Sequence, residues 1–313
     1  MPDSQLGPVL HQRGARILTG TCSWADKSLT ANADWYPKKT MTAEERLRFY
    51  ARSFPLVEAD STYYRPPGRE LTKSWAERSP DGFCFDIKAY GLLTGHPVRP
   101  ETLWPDIQEA IKPEFAGKER TYAHHLDPDA LVEVWYRFAD ALEPLAERGR
   151  LGAVLMQYPT WFTPKRANRD ELARLVERLP GKRISVELRS PRWLAEAERE
   201  RTVGLLHELG LTFVCVDAPS TSGLARDAIV TTPALSVVRF HGRADATWKA
   251  GATSAAERFR YLYDGEELAE WVPKVRRLAD RSEEVHILMN NCYQDYGIRN
   301  AFDMIRLLDG DDG

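Results

Sequence analysis

The chain has 313 residues, of which 43% are hydrophobic and 28% charged, and this composition excludes a mostly disordered protein and supports a large core. A formal net charge of -3 excludes a strong overall attraction to nucleic acid or to an anionic membrane surface, although a local basic patch stays open. Residues 1–16 hold no apolar run of signal-peptide length, so we expect a cytoplasmic protein without membrane contact.

Eight short β-type runs recur along the chain and alternate with amphipathic stretches, as repeated βα units do. Most are apolar through the middle, which is typical of parallel strands buried on both faces. The predicted strands are 16–20, 56–60, 83–88, 151–157, 184–188, 212–217, 235–241 and 285–290. They predict an α/β fold, a single (β/α)8 TIM-type barrel over 16–308, between a flexible N-terminal segment, 1–15, and a flexible tail, 309–313.

Helix boundaries between these strands are marked by capping residues. Thr42 and Glu45 form a capping box, in which hydroxyl and carboxylate each accept an otherwise unpaired backbone amide. Two longer helices are predicted over 128–149 and 191–210, each opening on proline and closing on glycine, and a last helix over 297–308.

A long connection follows the third predicted strand and spans residues 89–126. It is interrupted by prolines, carries Trp104, and emerges at the C-terminal end of the barrel, so we predict a βα-loop insertion. Whether it is a lid over the site or a passive decoration stays open.

Polar residues concentrate at the late ends of the strands, whereas the N-terminal ends are expected to be mainly apolar. The late-end residues are Glu58, Asp60, Lys88, Gln157, Glu187, Arg189, Asp217, Arg239, His241, Asn290 and Asn291. Side chains two apart on a strand face the same way, so this set is expected to gather at the barrel mouth. Buried charges are costly unless paired, and the concentration therefore predicts a functional site.

The predicted catalytic residues are Glu58, Glu187, His241, Lys88 and Asp217. Glu58 and Glu187 come from strands three apart in the ring and are expected to face each other as an acid and base pair. His241 adds an imidazole that ordinarily titrates near neutrality, which suits a proton shuttle. The alternative is that these groups are structural ion pairs.

Three arginines offer planar forks for a carboxylate or phosphate, namely Arg189, Arg239 and Arg243. They predict a small polar or anionic ligand, unless they only neutralise the neighbouring acids. The remaining predicted substrate-binding residues are Asn290, Asn291, Gln157, Trp24 and Tyr63, of which the two aromatic residues could wall a pocket or pack in the core.

A divalent metal also stays open, because the mouth offers an oxygen-rich set for magnesium, manganese or zinc. That set is Glu58, Glu187, Asp217 and His241. Lys88 and Arg239 could supply the same electrostatic stabilisation without an ion.

The four cysteines, Cys22, Cys84, Cys215 and Cys292, are widely spaced and form no C-x-x-C pair, which fits a reducing compartment. Barrel closure places the eighth strand beside the first, so Cys22 and Cys292 are expected to be neighbours without a redox role. P-loop, zincin, nucleophile-elbow and dinucleotide-binding motifs are absent from the sequence.

Several short segments resemble the family called domain of unknown function 72, also known as YecE-like. They are GTCSW at 20–24, WYP at 35–37, VEADSTYY at 57–64, VELR at 186–189, RFHGR at 239–243, two asparagines at 290–291 and Arg-Asn-Ala at 299–301. The resemblance implies a TIM-type barrel and no established reaction. Its remote likeness to xylose isomerases and endonuclease IV suggests metal-dependent isomerisation or phosphodiester cleavage, for which this sequence offers His241 in a comparable place.

The favoured hypothesis is an enzyme of the hydrolase, lyase or isomerase class that uses acid and base chemistry on an anionic, phosphorylated or sugar-like substrate. One alternative is a nucleic-acid-binding protein or an endonuclease-IV-like phosphodiesterase. A second alternative is a barrel that binds a small ligand without catalysis. The sequence does not indicate an oligomeric state.

Overall fold

The computed structural model describes residues 5–32, 34–219, 222, 224, 228–245 and 259–310. Residues 1–4 and 311–313, parts of the segments predicted to be flexible, therefore lie outside the described residues. The strands are β1 Leu10–Gln12, β2 Ala15–Cys22, β3 Leu56–Ala59, β4 Cys84–Lys88, β5 Leu151–Tyr158, β6 Ile184–Leu188, β7 Thr212–Asp217, β8 Ser236–Phe240 and β9 Glu284–Met289.

Strands β2 to β9 close into a barrel of eight parallel strands. Each pairs with the next in chain order, and β9 returns to pair with β2 over six residues. Helices lie on the outside, as a right-handed βα crossover requires. The predicted α/β TIM-type fold is confirmed, because runs that are apolar on both faces are stable only between a filled barrel interior and a helical layer.

The N-terminal segment differs from the prediction, because β1 pairs antiparallel with the start of β2. Arg13 and Gly14 form the two-residue turn between them, with φ of 54° and 86°, the left-handed pair that a tight hairpin needs. The Gln12 side chain donates to the carbonyl of Leu308 in the last helix. Regular structure thus begins before residue 15.

The helices are α1 Lys27–Asn32, α2 Ala43–Ser53, α3 Arg69–Arg78, α4 Pro105–Glu109, α5 Pro128–Ala141, α6 Glu143–Glu147, α7 Arg166–Arg178, α8 Glu196–Glu208, α9 Gly265–Ala269, α10 Val272–Ala279 and α11 Tyr296–Asp309. The capping box of α2 is present, with Glu45 N donating to Thr42 Oγ1 at 3.2 Å. The predicted helix over 128–149 is divided into α5 and α6, where Pro144 lies in the first turn of α6.

Residues 89–126 connect β4 to α5 through short 3₁₀ turns and α4. Two isolated antiparallel bridges, Val98 with Thr121 and Ile111 with Leu126, hold the segment together. Arg137 on α5 also binds Asp106 of α4, with its Nη1 at 2.9 Å from Oδ1. The segment is therefore ordered by its own contacts beside the barrel mouth.

The barrel interior has three layers, because alternate residues of every strand point inward. The middle layer is apolar and includes Leu18, Leu56, Leu155, Val214, Val237 and Leu288. Polar residues fill the C-terminal layer at the mouth. Contrary to the expectation of apolar N-terminal ends, the lower layer is polar as well and contains Cys84, Asp86, Glu284 and His286. No helix among the described residues is long and apolar enough to cross a membrane.

Candidate active site at the barrel mouth

Arg239 lies at the centre of the mouth and is fully buried on β8. Its Nε and Nη2 donate to Glu58 Oε2 and Oε1 at 2.9 and 2.7 Å, and its Nη1 donates to Glu187 on the other side. One guanidinium therefore bridges the carboxylates of β3 and β6. The predicted acid and base pair is instead a pair of counter-ions to a buried arginine, because a fully buried cation needs paired anions.

Glu187 accepts further hydrogen bonds on its second oxygen. Gln157 Nε2 and Arg189 Nε donate to Oε1, each at 2.8 Å, and His241 Nε2 lies 3.4 Å away. Burial raises the pKa of Glu187, but the charges of Arg239 and Arg189 outweigh this effect and hold the pKa well below its ordinary value. Glu187 is thus a carboxylate at neutral pH and is not a proton donor.

His241 is buried at the end of β8 and is held by Asn290, whose Nδ2 lies 2.7 Å from the imidazole Nδ1. Because an amide nitrogen can only donate, Nδ1 accepts and the ring proton is on Nε2, which faces Glu187. Burial, the largest influence, lowers the pKa of His241 to about 4. The imidazole is therefore neutral at pH 7. The sequence analysis had expected an imidazole that titrates near neutrality, because it took no account of burial.

Lys88 ends β4 beside this cluster and has a different kind of neighbour. Its Nζ lies 4.7 Å from the ring centroid of Tyr63, and within the described parts of the chain no carboxylate oxygen is within 4.0 Å of it. Burial lowers the pKa of Lys88, and the positive charges of Arg239 and Arg189 lower it further. The amine is therefore more readily deprotonated than an ordinary lysine.

Asp60 belongs to the site. The sequence analysis placed it with Glu58 at the late end of the second predicted strand but gave it no catalytic or binding role. Burial raises the pKa of Asp60 to about 6, and the nearby Lys88 ammonium partly opposes this effect. Asp60 can therefore exchange a proton near neutral pH.

His96 was also missed, because it comes from the connection over 89–126 and has no strand position to identify it. Its ring centroid lies 5.4 Å from that of Tyr63 and 5.9 Å from that of Trp161. Burial lowers the pKa of His96 to about 4. The three rings form an aromatic rim on one side of the mouth, and Tyr63 keeps its predicted position there.

Asp217 and Arg243 do not join this cluster. Arg243 Nη2 donates to Asp217 Oδ2 at 2.8 Å, and the same carboxylate accepts from Tyr263 Oη at 2.8 Å and from Trp271 Nε1 at 2.7 Å. Arg243 also binds Glu270 at 2.8 Å. The two residues therefore form an ion pair that anchors the segment after residue 259, apart from the cluster around Arg239, and their predicted catalytic and substrate-binding roles stay predictions.

Trp24 and Asn291 also have structural surroundings. Trp24 is 7% exposed and packs edge-on against Trp75 and Phe85, with centroids 5.3 and 6.0 Å apart, between the barrel and its helices. Asn291 Nδ2 donates to Asn300 Oδ1 and to the Tyr261 carbonyl, each at 2.8 Å. Neither side chain therefore lines the mouth in the way the sequence predicted.

Two cysteines lie near the mouth, as barrel closure predicts. Cys292 Sγ donates to the Cys22 carbonyl at 3.0 Å, and Cys22 Sγ lies 3.7 Å from Arg239 Nη2. Burial raises the pKa of both thiols well above the ordinary range, so both are protonated and unreactive.

The structure does not bring together the metal-binding set that the sequence left open at the mouth. Glu58 and Glu187 are bound by Arg239, and Asp217 is bound by Arg243. Within the described part of the chain, one group of histidine, cysteine and acidic side chains is close enough to share an ion, and it lies at the opposite end of the barrel: Cys84, Asp86 and His286.

The fold and the buried, charged mouth define a protein of the TIM-type (β/α)8 barrel class. The family model described as "Protein of unknown function DUF72" matches residues 18–312, and the chain belongs to this family. Membership agrees with the resemblance carried by the segments around Glu58, Glu187 and His241.

The relatives include UPF0759 protein YunF of Bacillus subtilis, which is 26% identical over 94% of this chain and 95% of that protein. UPF0759 protein YecE of Escherichia coli is 29% identical over 58% of this chain and 56% of that protein. Among solved structures, the DUF72 protein TM1631 of Thermotoga maritima is 29% identical with a TM-score of 0.72, covering 94% of this chain and 99% of that one. EF0366 of Enterococcus faecalis is 26% identical with a TM-score of 0.73, covering 94% and 95%. These names state no activity.

Proposed function

We propose that this DUF72 protein is an enzyme that performs acid and base chemistry on a small anionic substrate at the barrel mouth, with Lys88 as the base. The observation that carries the proposal is the surroundings of Lys88, whose nearest described partner is the Tyr63 ring and not a carboxylate. A partly desolvated ammonium beside two arginines costs stability, and such arrangements are concentrated at active sites.

Proton transfer needs groups whose pKa values lie near the working pH. The pKa of Lys88 is lowered toward that range, and the pKa of Asp60 is raised to about 6. The two groups lie close enough to perturb each other. We assign Lys88 the removal of a proton from the substrate and Asp60 the return of a proton to the product.

The preference for an anion follows from the charges at the mouth. Lys88 and Arg189 add two further cationic side chains beside the bridge that Arg239 forms between Glu58 and Glu187, and Arg189 itself donates to Glu187. The Arg189 side chain is 20% exposed and reaches the mouth, where a guanidinium suits a carboxylate or phosphate. The bridge of Glu58, Arg239 and Glu187 is then the rigid support that positions Arg189.

The test has two parts and uses Lys73→Met, at an exposed position on α3, as the matched control for Lys88→Met. First, the pH dependence of amine acetylation at each lysine is followed by mass spectrometry. We expect Lys88 to become reactive at a lower pH than Lys73. If Lys88 became reactive at the same pH as Lys73, the assignment of Lys88 as the base would be rejected.

Second, thermal shifts are measured with inorganic phosphate, citrate, simple sugar phosphates and small carboxylates. We expect at least one of these anions to raise the melting temperature of the wild type and of Lys73→Met, and to have no effect on Lys88→Met. Compounds that bind are then incubated with the protein and followed by NMR. Binding that depends on Lys88 without any conversion would support the non-catalytic barrel instead.

Exposed aromatic and basic side chains beside the mouth favour nucleic-acid binding as a second candidate. Tyr64 and Trp161 are about 60% exposed, and Arg99 and Arg120 line a cavity of about 470 Å³ next to Tyr63. Bases stack on such rings while cations bind the backbone. Binding of a single-stranded oligonucleotide should then weaken steeply with salt, and a flat response would reject this candidate.

A further inference from the structure

The lower end of the barrel contains a second polar cluster that the mouth chemistry does not use. Cys84 and Asp86 point inward from the start of β4, and Glu284 and His286 point inward from the start of β9. All four are at most 9% exposed. Because β4 and β9 do not pair, these side chains meet across the interior of the barrel.

His286 is at the centre of the cluster. Its Nδ1 lies 2.9 Å from Asp86 Oδ2, and its Nε2 lies 2.9 Å from Glu284 Oε1 and 3.9 Å from Cys84 Sγ. Donor atoms of Cys84, Asp86 and His286 all lie within 4.8 Å of one another. A thiol, an imidazole and carboxylates at this spacing are a donor set that zinc prefers.

Gly152 on β5 leaves room for the cluster. A Cβ at this position would lie 2.5 Å from Cys84 Sγ and 2.3 Å from Asp86 Oδ1, closer than real atoms approach. The backbone amide of Ala153 also donates to Asp86 Oδ1 at 2.8 Å. The strand thus fixes Asp86 and keeps space beside the donor atoms.

We propose that the lower end of the barrel is a structural zinc site, with Cys84 Sγ, Asp86 Oδ2 and His286 Nδ1 as ligands. Glu284 Oε1 accepts the proton on His286 Nε2 and orients the ring, as second-shell carboxylates do in zinc proteins. Tetrahedral bonds of about 2.0 Å place a nitrogen and an oxygen ligand about 3.3 Å apart, near the 2.9 Å between His286 Nδ1 and Asp86 Oδ2.

The charge of the cluster is unchanged when the ion binds. Without metal, Cys84 carries a thiol proton, and an imidazolium at His286 donates to both carboxylates. Zinc takes the place of the thiol proton and the Nδ1 proton, so two positive charges leave and two enter, without any change of oxidation state. Arg16 and Arg183 continue to bind Glu284, at 3.0 and 2.8 Å. Zinc affinity should therefore rise with pH.

The site is tested with Co²⁺ added to the full chain after treatment with a chelator. We expect one Co²⁺ per chain, with the visible bands of a tetrahedral ion and a near-ultraviolet band from thiolate to cobalt, all displaced by Zn²⁺. The charge-transfer band should be lost in Cys84→Ser. It should persist in Cys215→Ser, the matched control, because Cys215 is a buried thiol whose partner is the Val230 carbonyl.

A measurement on the wild type covers the case in which Cys84→Ser does not fold. X-ray absorption at the zinc edge should then show one sulfur ligand and two or more nitrogen or oxygen ligands. Absence of stoichiometric metal after equilibration, even when the chain is refolded with Zn²⁺, would overturn the proposal and leave a metal-free ion-pair cluster. A thiolate band that survives in Cys84→Ser would also overturn it, because the sulfur would come from another cysteine.

Discussion

The two ends of the barrel interior both carry buried charged layers, but they balance their charges differently. At the lower end, His286 has a carboxylate oxygen at 2.9 Å from each ring nitrogen, and Glu284 is bound by two arginines. At the mouth, Arg239 is balanced by Glu58 and Glu187, whereas Lys88 contacts an aromatic ring.

This difference teaches that a buried polar layer is not in itself evidence of catalysis. A cluster whose charges pair with one another stabilises or specifies the fold, whereas a cation held without a paired anion lowers stability and is kept for another reason. The following variants test whether the two ends behave in these two ways, from the largest expected effect to the smallest.

Arg239→Met should have the largest effect, because it leaves Glu58 and Glu187 buried without their shared cation. We expect a loss of about 3–5 kcal/mol in the free energy of unfolding, measured by urea denaturation. Arg189→Met is the matched control and should lose much less, because its side chain is partly exposed and binds one oxygen of Glu187. Equal losses in the two variants would show that Arg239 is not the centre of the layer.

The pH dependence of stability should report the buried, neutral His241. Its pKa in the folded protein is about 4, below the ordinary value, so the unfolded chain binds a proton that the folded protein excludes. Stability should therefore be lost as pH falls from about 6.5 to about 4 and be fully kept above that window, and the loss should be on the order of 3 kcal/mol.

Comparison with His241→Gln isolates this contribution, because Glu187, Arg239 and Arg189, which face the imidazole, are unchanged. The difference between wild type and variant should be constant above pH 7 and should change toward pH 4. Asp60 contributes a slope of opposite sign in both proteins and cancels. Imidazole NMR signals that titrate near pH 6.5 would contradict the neutral assignment.

Gly152→Ala should disturb the lower end, because the new methyl group would overlap Cys84 Sγ and Asp86 Oδ1. We expect a loss of about 1–3 kcal/mol from overpacking. Gly204→Ala is the matched control in α8, where nothing lies within 4 Å of the added atom, and it should be stabilising by about 0.5–1 kcal/mol. A neutral Gly152→Ala would show that the donor atoms are not closely packed.

Lys88→Met should have the smallest effect on stability, and the sign should be favourable. Removing a partly desolvated cation beside two arginines is expected to change the free energy of unfolding by less than about 1 kcal/mol, toward greater stability. Lys182→Met is the control, because its Nζ pairs with Glu143 at 2.6 Å and its side chain is 5% exposed. That variant should lose stability, and a larger loss in Lys88→Met would indicate a structural role.

The ends of the barrel strands were predicted to within about two residues. Short apolar runs with turn residues on both sides are typical of buried strands. Strand parity also placed Glu58, Glu187, Arg239 and His241 together at one end. Parity gives the direction of a side chain but not its partner, and this is why Glu58 and Glu187 were predicted as an acid and base pair.

The sequence did not reveal the partners of residues that bind side chains from outside their own strands. Asp217 is satisfied by Arg243, Tyr263 and Trp271, and the last two lie in the connection before β9. Trp24 packs against a helix that the sequence does not place next to it. The cluster at the lower end was missed because its members lie on two strands about 200 residues apart along the chain.

The sequence by itself determined the number and order of the barrel strands and the end at which most polar residues gather, because hydrophobic periodicity and capping are local properties of the chain. Only the tertiary structure decided which charges are paired. Closing the barrel brings Arg239 between Glu58 and Glu187, joins His286 to Asp86, and leaves Lys88 against Tyr63. Those pairings depend on distances across the interior. Burial lowers the local dielectric constant and so increases the interaction energy between the paired charges.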